Sequence, residues 1–151
     1  MGLDLQSAEL KKLHAYWAEK AGVRPMPSRR DLDPIIDIPE ITPHLWLVDV
    51  EDDPPRYRFR LVGTEVVARY GADFTGKRLD EIDLGGDRET ILLEYERARH
   101  SKAPRCSRHK YQLEQTGRYL IYERLLLPLS DDGETVNMLL CAAYSLEAPE
   151  A

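Results

Sequence analysis

Cysteine is scarce. The chain has two in 151 residues, Cys106 and Cys141, too few for the disulfide framework of a small secreted protein and not spaced as a C-x-x-C pair. Both are expected as free thiols in a cytoplasmic protein. Long apolar runs are missing too: no stretch approaches the roughly 18 residues that a spanning helix needs. Met1 to Lys20 carries Asp4, Glu9, Lys11, Lys12, Glu19 and Lys20, which leaves no signal-peptide core, so no membrane span is expected. Positive charge is in deficit. Against 27 Asp and Glu stand 21 Lys and Arg, a formal net charge of −6. This speaks against a nucleic-acid partner, whose affinity derives from clustered cations that release counterions.

Catalytic parts are equally thin. Gly63, Gly71 and Gly76 fit neither a G-x-G-x-x-G nor a Walker spacing, and no G-x-S-x-G elbow is present. Cys106 near His109 lacks an orienting Asn or Asp. His100, Cys106 and His109 could be imagined around zinc, but Arg105, Arg108 and Lys110 crowd the segment and would repel the ion, so no metal site is expected. The same basic run reads as a solvated strand start that could also hold an anionic ligand or partner. Asp31 and Asp33, flanked by Arg29, Arg30 and Pro34, form a charge-paired turn and helix cap more readily than a carboxylate pair.

What is there fits one domain, since a chain of this length can bury roughly 70% of its unfolded surface. From Ser7 to Ala21, Leu10, Leu13, Trp17 and Ala21 recur at helical spacing and make one apolar stripe, which Gly22 ends. That stripe must be buried against its own sheet or against a second copy. A proline-rich bridge leads to a short helix with Ile35, Ile36 and Ile38. Two strands follow, 44–50 and 56–62, read as a hairpin with Tyr57, Phe59 and Leu61 on one face and Arg56, Arg58 and Arg60 on the other. After a short helix, 65–70, comes a glycine-punctuated stretch with Gly71, Gly76, Gly85 and Gly86. Asp87 then caps a longer helix to about His100, with Ile91, Leu92, Tyr95 and Ala98 facing inward. Strands over 108–115, 118–129 and 134–145 form an antiparallel meander turning at 115–117 and 130–133. The last strand is nearly all apolar and therefore central.

This order resembles the PAS fold: α+β, a five-stranded antiparallel sheet with helices on one face, plus an N-terminal amphipathic helix. Arg60-Leu61-Val62-Gly63-Thr64 followed by Gly71-Ala72-Asp73-Phe74-Thr75-Gly76 resembles the second PAS strand entering its small helices. With Pro27-Ser28-Arg29-Arg30-Asp31-Leu32-Asp33-Pro34, the chain is similar to short bacterial PAS proteins that carry no attached output domain. The corresponding parts are a helix and linker over 1–26, the domain over 27–146 and a tail over 147–151.

The resemblance implies a sensory or regulatory module without catalysis, binding a small molecule or a signalling protein. It specifies no cofactor. A ligand would lie between the sheet and the longest helix, lined by Phe59, Ile91, Leu92, Tyr95 and Tyr122. The same face is equally simply a core. Leu10, Leu13 and Trp17 would serve a homodimer, and Arg29, Arg30 and Asp31 a docking surface. Flavin photochemistry is disfavoured, because Cys106 lacks an Asn-Cys-Arg-Phe-like setting, and the only histidine on the long helix that could ligate haem is His100. The chain stops soon after its final strand, so output is expected through association. Two further readings stay open: an adaptor whose core is filled by its own side chains, and an enzyme on a related cone-shaped α+β fold.

Overall fold

Five antiparallel strands in the order β2-β1-β5-β4-β3 organise the computed structural model: β1 (Leu45–Glu51), β2 (Arg56–Val62), β3 (Arg105–Gln112), β4 (Tyr119–Leu129) and β5 (Met138–Leu146). Among the described residues four α-helices accompany them: α1 (Ala8–Ala21), α2 (Pro34–Asp37), α3 (Thr64–Tyr70) and α4 (Arg88–Ser101). The structure describes residues 3–51, 55–82, 84, 87–112, 117 and 119–146. The linker at 52–54, Gly85 and Gly86, the turn residues 115 and 116, and the tail over 147–151 lie outside the described residues.

The hairpin, the meander and the central last strand are all present. Met138 to Ala143 are buried because β5 lies between β1 and β4 and is covered on both sides. Strand alternation divides the sheet into an inner face under α4, with Trp46, Val48, Arg124, Leu126, Leu139 and Cys141, and an outer face under α1, with Leu45, Leu47, Glu123, Leu125, Leu127, Leu140 and Ala142. One expected alternation fails. Val48 pairs with Phe59 but Leu47 with Leu61, so Arg60 is the extra residue of a bulge. The bulge turns Leu61 to the outer face, where it is 40% exposed.

The apolar stripe of α1 is spent inside the fold. Leu10, Leu13 and Trp17 are buried, and the Trp17 indole Nε1 donates to the Pro128 carbonyl at 2.9 Å. Ser7 caps the helix, its Oγ accepting from the Leu10 amide at 3.2 Å. The carboxylate of Glu123, fully buried on the outer face, accepts from the Gln6 and Ser7 amides at 3.0 and 2.8 Å and from Arg108 Nε at 2.9 Å. Arg108 also donates to the Asp4 carbonyl. One strand side chain thus anchors the approach to α1. The stripe is therefore not free for a second copy: of the two burial options open to it, its own sheet wins.

The bridge after α1 closes on itself. The Ser28 amide donates to Asp31 at 2.8 Å, Arg24 pairs with Asp31 at 2.9 Å, Arg29 donates to the Leu32 carbonyl at 2.8 Å, and the Ser130 amide ties Pro27 to the end of β4 at 3.0 Å. Of the three residues expected on a docking surface, Arg29 and Asp31 bond within their own loop, whereas Arg30 is exposed. Asp33 and Asp87 occupy N-cap positions, but neither side chain makes a cap hydrogen bond.

Gly63 has a steric reason to be glycine. An added Cβ would lie 2.3 Å from the Pro43 carbonyl oxygen, a backbone atom that cannot step aside. Gly63→Ala is expected to cost about 2 kcal/mol through overpacking, read as a lower urea midpoint with an unchanged m-value. The glycine-punctuated turn that follows covers the free edge of β2. Gly76 N–H donates to the Phe59 carbonyl at 2.7 Å and Phe59 N–H to the Lys77 carbonyl at 2.8 Å, while Asp73 holds the turn by accepting from the Thr75 amide at 2.9 Å.

Candidate functional site

Helix α4 lies over the inner face, and its geometry selects which side chains enter. Successive helical residues rotate by roughly 100°, so with Ile91, Tyr95 and Ala98 inward, Glu94 falls on the flank of the buried arc and Leu92 farther from it on the other side. Ile91, Tyr95 and Ala98 are buried accordingly, whereas Leu92 is 42% exposed. Placing Leu92 inward is the one error in the expected face.

Beneath α4 the space is occupied by aromatic side chains. Trp46 Nε1 donates to the Tyr95 hydroxyl at 3.0 Å, Tyr57 and Tyr95 meet with ring centroids 5.3 Å apart, and Phe59 packs on Phe74 at 5.9 Å. The Tyr57 hydroxyl reaches the rim, where it donates to Glu96 at 2.6 Å and accepts from Arg99 at 3.2 Å. Burial raises both tyrosine pKa values, so both phenols stay neutral at ordinary pH.

Beside this aromatic layer sits a polar cluster. Glu94, entering from α4, accepts from Arg124 Nη1 on β4 at 3.1 and 3.2 Å and from the Ser107 hydroxyl on β3 at 2.8 Å, and it pairs with His109 Nε2 at 2.9 Å. Arg124 is 5% exposed and Glu94 is largely covered. Cys141 lies next to them; burial pushes its thiol well up, against the pull of Arg124, so it is an inert core residue. An acid, an imidazole and a hydroxyl in contact invite comparison with a hydrolase triad. The contacts refuse it: Ser107 at 2.9 Å and Glu94 at 2.9 Å both meet the same ring nitrogen, Nε2, so that atom cannot accept from Ser107 while donating to Glu94. The cluster's geometry instead ties α4 to β3 and β4.

The five residues expected to line one pocket do not converge. Phe59, Ile91 and Tyr95 are core; Leu92 lines an outer groove of about 390 Å³ with Tyr57, Leu79, Arg88 and Glu89; and Tyr122 lies at the far end of the sheet with the Arg69 guanidinium 4.3 Å above its ring. The basic run 105–110 is dispersed by strand alternation: His109 turns inward to Glu94, Arg108 outward to Glu123, and the Lys110 ammonium sits 4.2 Å from the Tyr119 ring. His100 points outward and meets Glu96 at 3.5 Å. Among the described residues no cluster of metal-ligating side chains is found, and no helix is long and apolar enough to cross a membrane.

Glu94 and Arg124 escaped the sequence reading. The available signal was Glu123-Arg124, two adjacent charges at the start of the apolar run from Leu125 to Leu129. Neighbours in a strand point to opposite faces, so two charges in a covered strand each require a buried partner, one per face.

Comparison with known proteins agrees with this architecture. The family model described as PAS domain matches residues 5–143. No curated protein matches the chain. Among solved structures it is similar to a sensory box sensor histidine kinase from Vibrio cholerae, with a TM-score of 0.53, 14% identity, and 94% of this chain and 95% of that one covered. A PAS domain from Colwellia psychrerythraea gives 0.50 at 12% identity, covering 76% of this chain and 98% of that one. The Rhodobacter sphaeroides LOV protein gives 0.50 at 13% identity over 68% of this chain, which spans only 58% of that protein.

Proposed function

The chain belongs to the PAS domain family, and from that premise we propose that it is a sensory module without catalysis, whose input is read at the seam between α4 and the sheet. The observation that carries this reading is the Glu94, Ser107, His109 and Arg124 cluster, a charged contact holding one helix over an otherwise apolar face. Buried ion pairs cost desolvation and are matched by apolar packing, so they are poor glue but good switches. A small molecule that competes for Arg124 or Glu94 would shift α4 by replacing that contact, which is the differential interaction a conformational response requires.

Native mass spectrometry of freshly purified protein tests this. A retained small-molecule mass in the parent chain, absent from Arg124→Met, is the expected result. Protein mass alone in both supports the second reading, an adaptor whose partner is another protein. The packing of Trp46, Tyr57, Phe59 and Tyr95 favours that alternative, because these side chains already fill the space beneath α4. A homodimer would need a surface other than the α1 stripe.

A further inference from the structure

A second cleft lies away from α4, where Glu65 and Arg69 of α3 face Tyr122 of β4 and the end of β5. It is an open groove of about 360 Å³, lined by His44, Glu65, Arg69, Tyr122, Tyr144 and Ser145. This is the size at which small-molecule sites begin.

Its polar groups are oddly unspent. Glu65 and Arg69 are four residues apart on α3, in the order that ordinarily forms a helix ion pair. The Arg69 guanidinium instead lies over the Tyr122 ring at 4.3 Å and makes one long contact, 3.5 Å, to the Ala143 carbonyl. Stacked this way, a guanidinium keeps its N–H edge available for a carboxylate. Among the described residues Glu65 forms no ion pair or hydrogen bond. His44 stacks on Tyr144 with centroids 4.2 Å apart, and its Nδ1 is buried without a partner. Burial and Arg69 lower the His44 pKa against the pull of Glu65 and Glu9, which leaves a neutral imidazole at pH 7. Burial pushes the Tyr144 phenol up to about 12, so it remains a hydroxyl.

A cation and, one helical turn away, an anion that form no ion pair among the described residues, beside a stacked pair of flat rings, are complementary to a molecule carrying a carboxylate, an ammonium and an apolar side group. We propose that this cleft binds a small zwitterion of the amino-acid class, with its carboxylate on Arg69, its ammonium on Glu65 and its side group against the His44 and Tyr144 rings. A phosphate or simple dianion would be repelled by Glu65, and a simple amine by Arg69. The proposal concerns a site separate from the α4 seam and stands or falls independently of it.

The test is an amide NMR titration of the full chain with L-phenylalanine and L-alanine as probes, and with 3-phenylpropionate and 2-phenylethylamine as analogues lacking the ammonium and the carboxylate. Saturable shifts at 65–69 and 144–145 are expected with a zwitterion, and each truncated analogue should bind at least about ten-fold more weakly. Arg69→Gln should erase the preference over the amine, and Glu65→Gln the preference over the acid. The parent-chain comparison of the four compounds decides the matter even if a variant folds poorly. The proposal is overturned if neither zwitterion gives saturable shifts by about 20 mM, well above a Kd of about 1 mM, if the shifts fall elsewhere, or if zwitterions and analogues bind alike.

Discussion

Glu123→Ala is expected to destabilise the fold by about 4 kcal/mol, within the range for breaking a buried ion pair from one side. The cause is specific. Removing the carboxylate strands the Gln6 and Ser7 amides and leaves Arg108, in its half-covered position, without its buried partner. The effect should therefore begin at the approach to α1. The chain has two tryptophans, Trp17 on the outer side and Trp46 on the inner, so each face carries its own reporter. In a Trp46→Phe background, Glu123→Ala should shift the Trp17 emission to the red at denaturant concentrations where far-ultraviolet dichroism is still native. Loss of both signals together would mean that α1 is no separate unit of stability.

Arg124→Ala is expected to cost a similar amount, about 4 kcal/mol, for the mirror-image reason on the other face. Glu94 would stay largely covered after losing its permanently charged partner, with only Ser107 and His109 left beside it. The diagnostic comparison is the double variant Glu94→Leu/Arg124→Met, in which two apolar side chains of similar reach replace the pair. Most of the lost stability should return, because the desolvation cost leaves with the charges. A double-mutant cycle by urea denaturation would give a coupling of at least about 2 kcal/mol, and near-zero coupling would mean that the two side chains do not act as a pair.

The two faces also explain how far the sequence could be read. Hydrophobic period and turn residues give the order of the five strands and of α1 and α4, because β5 is nearly all apolar and α1 carries a full stripe, but β3 begins at Arg105, three residues before the expected 108, and β5 at Met138, four after the expected 134. Three features were not legible. The bulge at Arg60 depends on how β2 pairs with β1, which composition does not encode, and it moves Leu61 to the other face. The inward turn of Glu94 in place of Leu92 runs against hydrophobicity and makes sense only once Arg124 is seen opposite. The PAS resemblance places Tyr122, as an inward strand residue, in one pocket with Tyr95. The length of β4 carries Tyr122 beyond the reach of α4, into the cleft with Arg69. The Gly71 to Gly76 turn, by contrast, is legible as a pattern in the sequence, and pairing with Phe59 gives it the role of closing the β2 edge.

Hydrogen exchange of the Arg124→Met variant, measured under native conditions against the parent chain, bears most directly on α4 as the movable element. Amides of Arg88–Ser101 should lose protection while those of Ala8–Ala21, held from the other face by Glu123, keep it. Equal loss across both helices, or unchanged protection in α4, would contradict a sensory seam held by the Glu94 and Arg124 pair.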